Sequence, residues 1–563
     1  MNDPHQLLHT IRNSIIGRHH EIDGPFGPRL VMYADYTASG RSLTFIENFI
    51  REHVHPYYAN THTESSATGL QTTQFREDAR ALIKEAVGGT DEDVVIFAGS
   101  GATGAIHKLI EILNLRIPND LDRRYDLQAQ IPENERPVAF IGPYEHHSNE
   151  LPWRESIADV VVIDEDENGK PDLRLLEQAL LRYRDRRLKI GSFSAASNVT
   201  GIGSDTHGIS AVLHRHGALS FWDFAAAGPY VDIDMNASAD AYKDAIFISP
   251  HKFIGGPGTP GILVVKKYLL TNRVPTVPGG GTVAYVGPDE HRYIEDKATR
   301  EEGGTPDIIG AIRAGLVFGL KQAVGTDLIR AQEDRFLKRT IRRWHQHPKI
   351  HILGNESAWR LSIVSFMVKH GERYLHHNFV VTLLNDLFGI QTRGGCSCAG
   401  PYGHRLLGIN LVTSHEYQCE ILRGCEGIKP GWTRINFNYF ISEQVFEFVL
   451  DAVEFVADHG WRFLPLYRFS PDTGLWNHQD WQHHASMRLH DVSYSGGKLT
   501  FPHGHQTTDD SALASYLEQA HKLAKNLPGK CPAPDNYDQS CISKHFETLR
   551  WFPLPHEVGM PPE

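Results

Sequence analysis

Ile246-Phe-Ile-Ser-Pro-His-Lys-Phe-Ile-Gly-Gly-Pro-Gly-Thr-Pro-Gly261 is the stretch on which the fold of this chain turns. One lysine, Lys252, stands between His251 and a run of four glycines and two prolines. Ala245 to Ile248 leads in and Ile262 to Val265 leads out, and both are apolar enough to be buried strands. An ordinary solvated loop does not need so many turn residues between two such strands. Lys252 is therefore a candidate for covalent catalysis, held as a Schiff base to an aldehyde cofactor. The plainer alternative is a lysine that closes a glycine-rich strand connection.

Outward from this stretch the pattern repeats. Val94 to Phe97, Val138 to Ile141, Val160 to Ile163, Lys189 to Phe193 and Leu219 to Trp222 read as strands, with helical stretches between them. That alternation predicts an α/β fold with a mostly parallel sheet. The polar residues of interest fall just after strand ends, where open α/β sheets place ligands. Gly99 to Gly104 is a glycine turn between a strand and a helix expected from Ala105, a geometry that offers backbone N–H groups to a phosphate. Residues 116–136 read as a polar excursion and 268–308 as loop. A smaller α/β unit follows, with strands at Ser362 to Phe366 and Trp432 to Asn438 and helices at Asn378 to Leu387 and Glu443 to Ala457. The expected division is 1–30 as an N-terminal segment, 31–308 as the large domain, 309–465 as the small domain, and 466–563 as a C-terminal extension without an assigned role.

The 563 residues carry a formal charge of −12, which argues against nucleic acid or an anionic membrane as the main partner. No apolar run approaches a membrane span, and none follows Met1, so the expected location is cytoplasmic. Six cysteines are too few for a disulfide framework and point to functional thiols in a reduced compartment. Six histidines lie between 478 and 505, but at no spacing that makes a metal site.

Several side chains suit the chemistry of a pyridoxal ring. Asp223, just after a strand, can hold a protonated pyridine nitrogen. His146 can stack on the ring, and Asn198 can bond its hydroxyl. Ala102, Thr103, Ser249 and His251 can hold a phosphate. Arg393 can pair with a substrate carboxylate, and Cys398 can act as a nucleophile. Each has a plain alternative: a capping aspartate, a satisfied polar histidine, a structural ion pair, or two buried thiols in Cys396-Ser-Cys398.

The set as a whole resembles the class V aminotransferase family of fold-type I pyridoxal phosphate enzymes, and within it the cysteine desulfurase and selenocysteine lyase branch. The matching pieces are Ala34 to Ser39, Phe97 to Thr103, Glu145 to Trp153, Ser197 to Gly201, Trp222 to Ala226, Ser249 to Gly261, Gly303 to Pro306 and Gly389 to Ala399. The resemblance implies pyridoxal 5'-phosphate as cofactor, Lys252 as the Schiff-base lysine, Asp223 as the pyridine partner and His146 as the stacking residue. It implies phosphate binding by Thr103, Ser249 and His251, with Thr305 reaching the site of a second subunit in a homodimer. It also implies an amino-acid substrate held by Arg393, and a C–S lyase that passes sulfur to Cys398 as persulfide and releases alanine, with a protein as the onward sulfur acceptor. The alternatives are an aminotransferase, β-lyase or epimerase in which Cys398 is structural, and a non-catalytic scaffold. Three departures stand out. The family's glutamine three residues after the aspartate is Ala226; a second thiol, Cys396, precedes Cys398; and residues 116–136 and the C-terminal hundred have no counterpart in compact desulfurases.

Overall fold

A computed structural model of the protein describes residues 4–61, 63–485, 487–502, 506–527 and 542–558. The larger of its sheets has seven strands: β1 (Asp93–Ala98), β2 (Val138–Ile141), β3 (Asp159–Val162), β4 (Lys189–Ser194), β5 (Leu219–Asp223), β6 (Ala245–Ile248) and β7 (Gly261–Lys266). Their order across the sheet is β1-β7-β6-β5-β4-β2-β3. Neighbours from β3 to β6 pair in parallel, and β7 runs antiparallel to both β1 and β6. Every residue of β2, β6 and β7 is buried. Their unbroken apolar runs are what a sheet covered on both faces requires. The α/β class with a mostly parallel sheet, expected from the alternation, is the one observed.

The connector between β6 and β7 carries Lys252. Its glycines serve close backbone approach. A Cβ on Gly261 would stand 1.9 Å from the carbonyl oxygen of Gly101, and one on Gly256 would stand 2.0 Å from that of Pro250. No side chain fits at either position.

Four helices frame this sheet and its site: α1 (Ala67–Ala86), α2 (Gly101–Ile112), α3 (His147–Arg154) and α4 (Ile308–Val324). In α2, Ala102, Ala105, Ile106, Leu109 and Ile110 are buried, an i, i+3, i+4, i+7 stripe against the sheet. α2 begins four residues before the expected Ala105, because only the first part of the glycine run is turn. α4 lies so close to α1 that a Cβ on Gly315 would be 2.6 Å from that of Ala79. Its Ile308, Ile312, Val317 and Phe318 share a core with Trp222, Ile246 and Ile262. The expected excursion contains a short helix, Asn119–Tyr125, and the expected loop at 268–308 contains a hairpin, Val283–Val286 with His291–Tyr293.

A second sheet has β8 (Ile350–Ile352), β9 (Ile363–His370), β10 (Arg393–Gly395) and β11 (Trp432–Asn436), in the order β8-β9-β11-β10 and all antiparallel. α5 (His377–Phe388) and α6 (Glu443–His459) pack on it through Leu383, Leu387, Val449 and Val453. Leu30, Met32 and Ala34 enter the same core, and Met32 pairs in parallel with Ile390. So do Trp476, Tyr516, Phe546, Phe552 and Leu554. Residues after 465 therefore share the core beneath the second sheet. His503, His505, Cys531 and Cys541 lie outside the described residues. No single helix among the described residues is long and apolar enough to cross a membrane.

Candidate active site

A cavity of about 780 Å³ lies where β2, β4, β5 and β6 end. Ala102, Thr103, His146, Asn198, Asp223, Ser249, His251, Lys252, Arg393 and Cys398 all line it. Parallel strands give this convergence for free, since each delivers its following residue to the same edge. Thr305 is the exception among the candidates. It is exposed, and its Oγ1 accepts a hydrogen bond from Asn60 Nδ2 at 3.3 Å, while Gly303 and Pro306 beside it do line the cavity.

Asp223 closes β5 and is 5 % exposed. Its Oδ1 accepts the Ala225 N–H at 2.7 Å. Burial raises its carboxyl above the usual range, against the pull of that bond and of Lys252. Lys252 ends the tight turn Pro250–Lys252. Burial lowers its amine to about 8; Arg434 and Arg393 push the same way, and Asp223 and Asp35 oppose.

His146 caps the N-terminus of α3, and its Nδ1 accepts the Ser148 N–H at 3.1 Å. A backbone N–H can only donate, so the neutral ring carries its proton on Nε2. Burial, with Lys252 nearby, lowers this histidine to about 4, so it is neutral at pH 7. Ser249 Oγ accepts the Ala102 N–H at 2.8 Å. Ser100 gives α2 no side-chain cap, which leaves the first turn of a 12-residue helix facing the cavity.

Cys398 sits on a turn pinned to the segments that follow β2 and β4. Asn198 Nδ2 donates to the Ser397 carbonyl at 2.7 Å, and the His147 N–H to the Cys398 carbonyl at 2.9 Å. Ser397 and Cys398 both have positive φ, +53° and +57°, a conformation that side chains disfavour.

Two important side chains were not among the sequence candidates. Arg434 lines the cavity at 3 % exposure, bonding Asp35 at 2.8 Å and the Asn198 carbonyl at 3.0 Å. Asp35 also accepts Arg393 Nε at 3.0 Å, so one carboxylate steers two guanidiniums toward the cavity. The available signal was an arginine inside the apolar strand Trp432 to Asn436, since a buried charge needs a reason.

Five buried polar atoms of residues lining the cavity have no hydrogen-bond partner among the described residues: Thr37 Oγ1, Asn198 Oδ1, Thr259 Oγ1, Ser397 Oγ and Arg434 Nε. Buried polar groups are nearly always satisfied, so this cavity is built for a polar occupant. A phosphorylated pyridine aldehyde fits the donor set, with an amine at Lys252, a carboxylate at Asp223 and an anion cradle at α2.

Known proteins with this architecture sharpen the picture. A probable cysteine desulfurase from Halalkalibacterium halodurans is 26 % identical over 375 residues, covering 66 % of this chain and 84 % of that protein. One from Streptomyces coelicolor is 26 % identical over 380 residues, covering 67 % and 84 %. Among solved structures, the apo cysteine desulfurase of Thermococcus onnurineus superposes with a TM-score of 0.61 at 23 % identity, over 76 % of this chain and 95 % of that one. A cysteine desulfurase of Escherichia coli gives 0.60 at 19 % identity, over 81 % and 98 %. Arg434 apart, every residue of the cavity wall falls within 32–413, the span that matches the model of the aminotransferase class-V family, and the chain belongs to that family.

Proposed function

We propose that the chain is a pyridoxal-phosphate-dependent enzyme of the cysteine desulfurase kind, taking sulfur from an amino acid onto Cys398 and releasing alanine. The observation that carries this reading is the placement of Cys398 on a strained, pinned turn in the same cavity wall as Lys252 and Asp223. The names of the relatives support it.

Lys252 would hold the cofactor through its amine and Asp223 its ring nitrogen. His146 would cover the ring, Asn198 Oδ1 would meet its hydroxyl, and Thr103, Ser249, His251 and the first turn of α2 would hold its phosphate. When bound, the cofactor draws electron density from the substrate Cα and weakens the bond between the β-carbon and sulfur. Arg434 and Arg393, both braced by Asp35, orient the substrate carboxylate. Lys252 Nζ, its affinity for protons lowered to about 8, accepts the proton from Cα and can return it. His146 stays neutral and adds no competing charge. Cys398 Sγ then attacks the substrate sulfur, with the Arg434 guanidinium among its charged neighbours. Ala226 offers no side-chain donor to the cavity, leaving Asn198 as the amide there. Thr305, exposed and outside the wall, suits a role in the site of a second copy.

The test is Cys398→Ser assayed with L-cysteine for alanine and for protein-bound sulfane sulfur. Both should fall by about a hundredfold or more. Alanine formation at the wild-type rate would rule out Cys398 as the sulfur acceptor, and pyruvate with sulfide in place of alanine would favour a β-lyase with a structural Cys398.

A further inference from the structure

Cys396 has no place in the steps above, yet it lies two residues from Cys398 and is exposed, as Cys398 is. The pair spans a tight turn. The Ala399 N–H donates to the Cys396 carbonyl at 3.1 Å, and the two central residues, Ser397 and Cys398, both have positive φ. That is the pattern of a type I′ turn, normally made with glycine or asparagine. The turn is also anchored at three points: Ser397 to Asn198, Cys398 to the His147 N–H, and the Gly400 N–H to His147 Nε2 at 3.1 Å. Two Cα steps of about 3.8 Å, folded in such a turn, bring the Cα atoms of 396 and 398 to roughly 5–6 Å. Disulfides span about 4.4–6.8 Å between Cα atoms. Cys398 belongs to the cavity wall and Cys396 does not. A sulfur delivered from the cavity therefore lands on Cys398 with Cys396 placed outside.

We propose that Cys396 is a resolving thiol, which discharges the Cys398 persulfide as hydrogen sulfide and leaves a Cys396–Cys398 disulfide. This rests on the desulfurase reading. The Cys396 thiolate attacks Cys398 Sγ. A bond forms between the two Sγ atoms, and the bond from Cys398 Sγ to the terminal sulfur breaks. The terminal sulfur leaves with its proton and the electron pair as HS⁻. The sulfane sulfur is reduced and the two cysteines are oxidised, so no outside oxidant is needed. HS⁻ is a better leaving group than a cysteine thiolate, which favours attack at Sγ over transfer of the terminal sulfur to Cys396. A disulfide across so short a loop is strained and easily reduced, and an external thiol reductant restores the pair. The enzyme would then release free sulfide, at a rate set by thiol supply, as well as hand sulfur to an acceptor.

The experiment mixes the holoenzyme with no more than one equivalent of L-cysteine, so that no free thiol remains after one turnover, without air or added reductant, and reads alanine, sulfide and the mass of the peptide carrying both thiols. Wild type is expected to release about one sulfide per alanine in a single burst, with the peptide lighter by about 2 Da. In Cys396→Ser the sulfide-to-alanine ratio should fall at least about tenfold, and the peptide should be heavier by about 32 Da. A wild-type peptide that stays heavier by that amount overturns the proposal, wherever the extra sulfur sits. Loading the protein with inorganic polysulfide needs no turnover and should give the same lighter peptide and free sulfide. If polysulfide gives that result and L-cysteine yields no alanine, the thiol chemistry stands and the desulfurase reading fails. If polysulfide leaves a stable persulfide on Cys398, the proposal fails by itself.

Discussion

Asn198 donates its side-chain N–H to the backbone carbonyl of Ser397 at 2.7 Å, so a residue in the loop after β4 holds the turn that presents Cys398. Its Oδ1 is buried without a hydrogen-bond partner among the described residues, and Asn198 itself lines the cavity. One amide therefore couples the position of the thiol to whatever fills the site. Asn198→Ala removes a hydrogen bond worth about 1 kcal/mol. Alanine formation should slow about five- to tenfold, and protease should cut more readily within 394–400. Asn198→Asp, which cannot donate, should behave alike. A variant with wild-type rate and protease resistance would show that the turn holds itself.

Lys252 gives a prediction in pH. Its amine is protonated below about 8 and nucleophilic above it, because burial lowers it from the ordinary value of 10.5. The rate at which cofactor-free protein captures pyridoxal phosphate should rise with pH and level off above about 8. Borohydride should then fix the cofactor to wild type and not to Lys252→Ala. A capture profile still rising past pH 10 would contradict the assignment.

Glu333 carries a stability prediction. It is 1 % exposed, and burial raises its carboxyl to about 8. The nearest guanidinium, of Arg330, is 3.7 Å away, too far for a hydrogen bond. Folded Glu333 thus binds its proton more tightly than in the unfolded chain, where the ordinary value is 4.5. Its contribution is fully present below pH 4.5 and is lost as pH rises through about 8. Glu333→Gln cannot ionise and keeps an acceptor for the Tyr439 N–H. Its melting temperature should gain on wild type at pH 9 relative to pH 6. An equal difference at both values would rule out titration here.

Phe552 tests the C-terminal packing. It is fully buried in the small-domain core, edge-on to Phe469 at 5.1 Å between centroids. Phe552→Ala should cost about 3–5 kcal/mol in denaturant titration. A cost below about 1 kcal/mol would mean that this segment is dispensable.

The parallel sheet was legible because β2 and β6 are wholly apolar short runs and because polar residues close or follow the ends of β4, β5 and β6. Lys252, Asp223 and His146 followed from those ends. Arg434 was not legible, because its partner Asp35 lies 399 residues away in sequence and only the fold joins them. The packing of Trp476, Tyr516 and Phe552 was hidden for a related reason. Aromatic residues scattered among histidines and prolines have no period until a core gives them one face. The strain at Ser397 and Cys398 is likewise invisible in residue type, since nothing in Cys-Ser-Cys demands a positive φ.

The core that joins Leu30 and Met32 to Phe552 and Leu554 also imposes a schedule. During synthesis Leu30 emerges about 520 residues before its Phe552-bearing neighbour, roughly half a minute or more at ribosomal rates. Through that interval the smaller domain lacks part of its interior. β10, which runs into the turn carrying Cys398, is built on that domain. The large sheet around Lys252 can therefore assemble first, and the sulfur-handling arm is put in place only after the rest has been made.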